Sequence, residues 1–168
     1  MNECLTTCRG CCKFKKDEIY FAPKITREEI ATIKSNGSYK DVFRPFKKSK
    51  KIFQITLIKS GLTKEVFVCP YLNEATQACE IYNFRPFDCE FWPFLLMYDK
   101  KKEKILIAHV NKEICPITDT MNEGEFKNYL IKKLDKLMRE KDVINLINKY
   151  PELIWDYEPD TFVIKEIV

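Results

Sequence analysis

The chain has 168 residues, 45% of them hydrophobic and 32% charged, with a net charge of +4 and 8 cysteines against 4 glycines and a single histidine. A length of this order makes one domain the default and supplies enough apolar material for a core without disulfides, which excludes the small secreted disulfide scaffolds. Charge of both signs on one surface reads mainly as solubility, whereas the cysteines are too many and too clustered to be inert core thiols.

In chain order, Met1-Asn2-Glu3-Cys4-Leu5 runs into Arg9, Lys13, Lys15 and Lys16 without the apolar stretch and cleavage site of a signal peptide. No later stretch approaches the ~18–20 apolar residues of a membrane span. A cytoplasmic protein is therefore expected, where clustered thiols point to metal or redox chemistry. Thr26-Arg27-Glu28-Glu29 is a capping-box start, Ile30 and Ile33 form an apolar stripe and Gly37 a left-handed stop, which predicts a helix over 27–36. Two β-branched and aromatic runs, Lys51 to Ile58 and Lys64 to Val68, flank Ser60-Gly61 and predict a hairpin. A second hairpin is expected from Phe94 to Tyr98 and Ile105 to Val110, turning through the lysine-rich segment. That segment and Lys47-Lys48-Ser49-Lys50-Lys51 read as solvated hairpin ends, so no nucleic-acid partner is expected.

From Asn122 the apolar period becomes helical through Phe126, Leu130, Leu134 and Leu137, widened by Met138. A short helical piece over 143–147 precedes Tyr150-Pro151, and Phe162-Val163-Ile164 suits an edge strand. The expected fold class is α+β: a small, irregular, hairpin-rich metal-binding core whose loops carry the ligands, followed by C-terminal amphipathic helices. We expect one domain over 1–168, with 1–118 holding the ligands and 119–168 a helical support.

The candidate metal ligands are all eight cysteines. Cys4, Cys8, Cys11 and Cys12 crowd the N-terminus, and Gly10 lets the backbone fold tightly among them. Cys69, Cys79, Cys89 and Cys115 are spread along the chain, Cys79 and Cys89 in turn-rich segments. Cys69-Pro70 and Cys115-Pro116 each place a proline just past a thiol, where it removes an amide donor and fixes the chain direction. Cys115 also suits a buried structural thiol. Cys4, Cys8 and Cys11 show the C-x3-C-x2-C spacing of radical S-adenosylmethionine enzymes, but that motif normally follows the first strand of a long β/α barrel, unlike this short, glycine-poor chain.

The whole pattern fits another family better. Cys8-Arg9-Gly10-Cys11-Cys12, Cys69-Pro70-Tyr71-Leu72, Cys79-Glu80-Ile81-Tyr82, Arg85-Pro86-Phe87-Asp88-Cys89 and Trp92-Pro93-Phe94 together resemble the YkgJ-type cysteine-cluster family, the CxxCxxCC zinc- or iron-chelating domains. The one departure is three residues between Cys4 and Cys8 where the family usually has two. The resemblance implies metal binding and extends to the cysteine-rich part of the flagellin lysine N-methylases, so a cluster-dependent protein-modifying enzyme is a second alternative. This chain lacks a glycine-rich nucleotide loop, so the resemblance does not establish methyl transfer.

Eight thiols could complete one 4Fe-4S cluster with ligands to spare, two four-cysteine zinc sites, or one of each. Ligation from scattered loops, Cys-Pro steps and nearby Phe84, Phe87, Phe91, Trp92 and Phe94 favour a 4Fe-4S cluster shielded from water, with zinc the alternative. Most of these aromatics also suit an ordinary core. His109 is expected in the core or at the surface of its strand, and Arg85 either faces an anionic group or pairs with Asp88 or Glu90. No Ser/His/Asp array or paired-carboxylate signature supports an enzyme assignment. The expected partner is a protein or small molecule, not a membrane.

Overall fold

A computed structural model describes residues 12–109, 122–158 and 161–167. The chain forms two compact units, Met1–Glu90 and Phe91–Val168, and its small antiparallel sheets and helices make the fold α+β.

The first unit holds three small sheets. In one, strand β1 (Lys13–Lys15) and strand β5 (Ile58–Lys59) flank β6 (Val66–Val68), giving the order β1-β6-β5 with all pairs antiparallel. In the second, β4 (Ile52–Ile55) lies between β2 (Lys24–Thr26) and β3 (Phe43–Pro45). The third pairs β7 (Leu72–Asn73) with β8 (Ala78–Cys79). The hairpin expected from 51–58 and 64–68 is therefore shorter than its sequence suggests. Ile52 and Ile55 bury into the second sheet, and Thr56 N–H leaves for the Val42 carbonyl at 2.7 Å, so only Ile58 and Lys59 remain to pair with β6.

Helix α1 (Arg27–Ser35) begins as its sequence dictates. The Thr26 hydroxyl accepts the Glu29 N–H at 3.2 Å, and Glu29 Oε2 accepts the Thr26 N–H at 2.8 Å. Gly37, at φ +90, takes the left-handed turn after it. Ile33 of α1 joins Ile25, Phe43, Ile55, Tyr71, Ile81 and Cys69 in one buried cluster, so a thiol lies within the core of this unit. Burial of large apolar side chains contributes roughly 1.5–3 kcal/mol each, which is what stabilises strands only two to four residues long.

The second unit is built on one sheet in the order β11-β9-β10-β12. Strands β9 (Phe94–Asp99) and β10 (Lys104–His109) form the expected hairpin, with Asp99 opposite Lys104 and Phe94 opposite His109. Asp99 accepts the Lys101 and Lys102 amide protons and so closes the turn. Around that turn Lys100 pairs with Asp156, and Lys102 and Lys104 pair with Glu166, as suits a solvated hairpin end. Strand β11 (Trp155–Asp156) runs parallel to β9, and β12 (Phe162–Glu166) supplies the expected edge.

Helix α3 (Glu123–Lys141) carries its own capping box between Asn122 and Glu125, and α4 (Val143–Lys149) follows it through Asp142 at φ +43. Leu130 and Leu134 are buried on α3, as are Val143 and Ile147 on α4, matching the helical apolar period. The short helix α2 (Phe87–Phe91) lies at the boundary between the two units.

Candidate metal centre

Backbone register sets Cys12 against Cys69, and a turn and a second ladder lead from there to Cys79. The β1–β6 ladder pairs Lys13 with Val68 and continues one step further, where Cys69 N–H donates to the Cys12 carbonyl at 2.9 Å. Cys12 and Cys69 are thus cross-strand partners, and directly opposed residues present their side chains on the same face. Cys69 then opens a β-turn, closed by the Leu72 N–H on its carbonyl at 2.9 Å, with Pro70 in the position that its fixed φ favours. Leu72 pairs directly with Cys79 across β7–β8, and Glu80 N–H extends that ladder to the Tyr71 carbonyl at 2.8 Å. Cys69 is buried, and half-buried Cys12 and Cys79 pack against the same apolar cluster as Tyr71, Ile81 and Phe84.

Cys89 is held differently. It lies on the five-residue helix α2 rather than in a turn, whereas Cys79 ends a two-residue strand between turns, in the turn-rich segment expected of it. Two carboxylates fix α2 in place. Glu29 Oε1 accepts the Phe87 N–H at 2.6 Å, while Asp88 Oδ2 accepts the Lys24 N–H at 2.8 Å. Glu29 therefore uses one oxygen to cap its own helix and the other to hold the helix carrying Cys89. Lys24 itself is buried, its Nζ 4.5 Å from the Phe46 ring centroid.

The surroundings of Cys79 act on its thiol in both directions, and burial dominates. Burial pushes the Cys79 thiol above its ordinary range, while the Ile81 N–H bonded to its sulfur and the charge of Arg85 pull it back. Hydrogen bonds to sulfur and a dry surround are the features by which a protein tunes a thiolate-bound metal. Arg85 lies 3.9 Å from the Tyr82 ring centroid, a cation–π stack that orients the guanidinium beside this loop. Cys12, Cys69, Cys79 and Cys89 are not joined in disulfides. Among the described residues, however, no three His, Cys, Asp or Glu side chains form a group able to hold a metal ion. Cys4, Cys8, Cys11 and Cys115 lie outside the described residues.

His109 takes the core position. It is buried at the end of β10, edge-on to Phe94 at 6.0 Å and to Phe126 at 5.0 Å between ring centroids. The neighbouring aromatics are largely core as well: Phe87, Phe91 and Phe94 are buried, and Phe84 packs on the first unit's cluster. Sequence reading missed the two anchors of α2. The acids of Glu29 and Asp88 were visible, but their amide partners lie 58 and 64 residues away.

The family model described as "Putative zinc- or iron-chelating domain" matches residues 3–127, spanning every cysteine in the chain. The chain belongs to the CxxCxxCC family. The motif blocks noted above have physical roles here: the Cys-Pro turn joins two ladders, and the Asp of Arg-Pro-Phe-Asp-Cys anchors the helix that carries Cys89 to a strand. Zinc or iron chelation is the chemistry to which a CxxCxxCC chain is assigned. No curated protein and no solved structure matches the chain. Among the described residues, no helix is long and apolar enough to cross a membrane.

Proposed function

We propose that this protein binds a 4Fe-4S cluster through its cysteine thiolates and serves redox or substrate-related chemistry in the cytoplasm. The observation that carries this reading is the convergence of Cys12, Cys69 and Cys79 on one apolar cluster, with Cys69 buried in it. A cluster held in such a setting is shielded from water, and its potential responds to burial and to hydrogen bonds at sulfur. The described thiols do not close a ligand set by themselves. Ligation is therefore assigned jointly to Cys12, Cys69, Cys79 and Cys89 and to the thiols of Cys4, Cys8, Cys11 and Cys115. When bound, such a cluster supplies one-electron transfer or an electrophilic iron; the chain's own part is to hold the thiolates, exclude water and direct the Ile81 N–H onto sulfur.

Structural zinc is the second reading, favoured by the C-x2-C spacing of Cys8 and Cys11. Anaerobic isolation followed by iron, zinc and acid-labile sulfide analysis separates the two. Brown protein with matching iron and sulfide, and broad visible absorption that bleaches on reduction, is the expected result. Colourless protein with stoichiometric zinc and no sulfide overturns the cluster in favour of zinc.

A further inference from the structure

The first unit contains a second feature unconnected with the thiols. An open cavity of about 890 Å³ is lined by Lys15, Lys16, Lys59 and Lys64, with Val66 and Phe67 among its walls. Pockets for small ligands typically measure about 300–1,000 Å³. The lysines come from two separate stretches of chain. Lys15 ends β1 and Lys16 begins the 3-10 turn after it, while Lys59 ends β5 and Lys64 lies in the loop that leads to β6. The hairpin is held in shape by Ser60, whose N–H donates to the Val66 carbonyl at 2.9 Å and whose hydroxyl accepts the Leu62 and Thr63 amide protons. Glu74 accepts the Gly61 N–H at 2.8 Å and the Ser60 hydroxyl proton, which ties the loop from outside.

Asp17 and Glu65 also line the cavity, so four lysines against two carboxylates leave a surplus of two positive charges. Among the described residues none of these six side chains forms an ion pair. A surplus of two ammonium charges around one concave volume raises the local concentration of anions. Lysine recognises phosphate as a mobile point charge, and several such charges around one space suit a ligand with several negative charges on neighbouring groups. Phe67, half-buried in the wall, adds an aromatic surface beside them.

We propose that this cavity is a binding site for a ligand bearing a chain of phosphate groups, held by Lys15, Lys16, Lys59 and Lys64. The proposal goes beyond the metal reading and does not depend on it. Calorimetric titration of the full chain, isolated anaerobically, with inorganic tripolyphosphate and separately with ATP tests it at low and at moderate salt. Saturable binding that weakens with salt is expected, with at least a roughly tenfold loss in Lys59→Gln/Lys64→Gln. The control Lys47→Gln/Lys48→Gln, which removes an equal charge from residues that do not line the cavity, is expected to bind as the unaltered protein does. Tighter binding of ATP supports a nucleotide stacked on Phe67, and equal affinities support an inorganic phosphate chain. Absence of saturable binding by either probe overturns the proposal, as does an equal loss in both double variants. Preference for a poly-glutamate peptide over both phosphate probes also overturns it, in favour of an acidic protein partner.

Discussion

The two units solve the same folding problem with different means. Among the described residues, the first spreads strands of no more than four residues over three sheets and places a thiol and a lysine in its interior. The second concentrates on one sheet whose central hairpin has two six-residue strands, and its buried residues are almost all hydrocarbon. Short ladders supply few hydrogen bonds and little buried area, so the first unit leans on specific polar anchors such as Glu29 and Asp88. On the function proposed above, bound metal adds to those anchors directly, because a ligand set absent from the unfolded chain makes binding energy part of folding energy.

The widest gap between the units should open on metal removal. Chelation under anaerobic conditions is expected to lower the stability of the first unit by several kcal/mol, structural metal sites contributing on the order of 10 kcal/mol. Hydrogen exchange should then lose protection at Val66–Val68 and Leu72–Asn73 while Phe94–Asp99 and Lys104–His109 retain it; equal loss in both units would contradict the comparison. The reverse experiment is Leu106→Ala. Leu106 is fully buried in β10, and its truncation should cost roughly 2–5 kcal/mol by denaturant unfolding. Metal content of the remaining folded protein should not change.

Asp88→Ala strips the Lys24 N–H of its carboxylate, an expected loss of roughly 1–3 kcal/mol. Because α2 carries Cys89, metal affinity in competition with a chromophoric chelator should fall as well. Asp88→Asn, which keeps an acceptor oxygen, should restore part of both. The smallest effect belongs to the surface of the second unit. Lys104 bonded to Glu166 holds that carboxyl below its ordinary range, so the pair's stabilisation is present above the unfolded carboxylate value and disappears as pH falls through the folded one. Melting temperatures of the unaltered protein and Glu166→Gln should differ slightly at neutral pH and converge in acid.

How much could be read in advance depended on how far apart the partners lie in the chain. The capping box at Thr26 and Glu29 and the helical stripe from Phe126 to Leu134 are local, and both form as their sequences indicate. The hairpin through Lys100 to Glu103 is almost as local and keeps its expected register. The run from Lys51 to Ile58 reads equally well as a strand, but its pattern does not reveal that β2 and β3 take Ile52 to Ile55. The same limit applied at the candidate centre. Eight thiols and their motif blocks were legible, whereas the pairing of Cys12 with Cys69 depended on a register that only the folded ladder displays.

That register has a consequence for the adjacent cysteines. In β1 the residues run Lys13-Phe14-Lys15, with Phe14 buried and Lys15 exposed. Alternation puts Cys12 on the side of Phe14, opposite the lysines. A slip of one residue against β6 would take Cys12 away from Cys69 and would also turn Phe14 out and a lysine in. A phenylalanine thus holds the register that sets Cys12 across from Cys69, so the placement of a thiol is decided by a residue with no polar atom in its side chain.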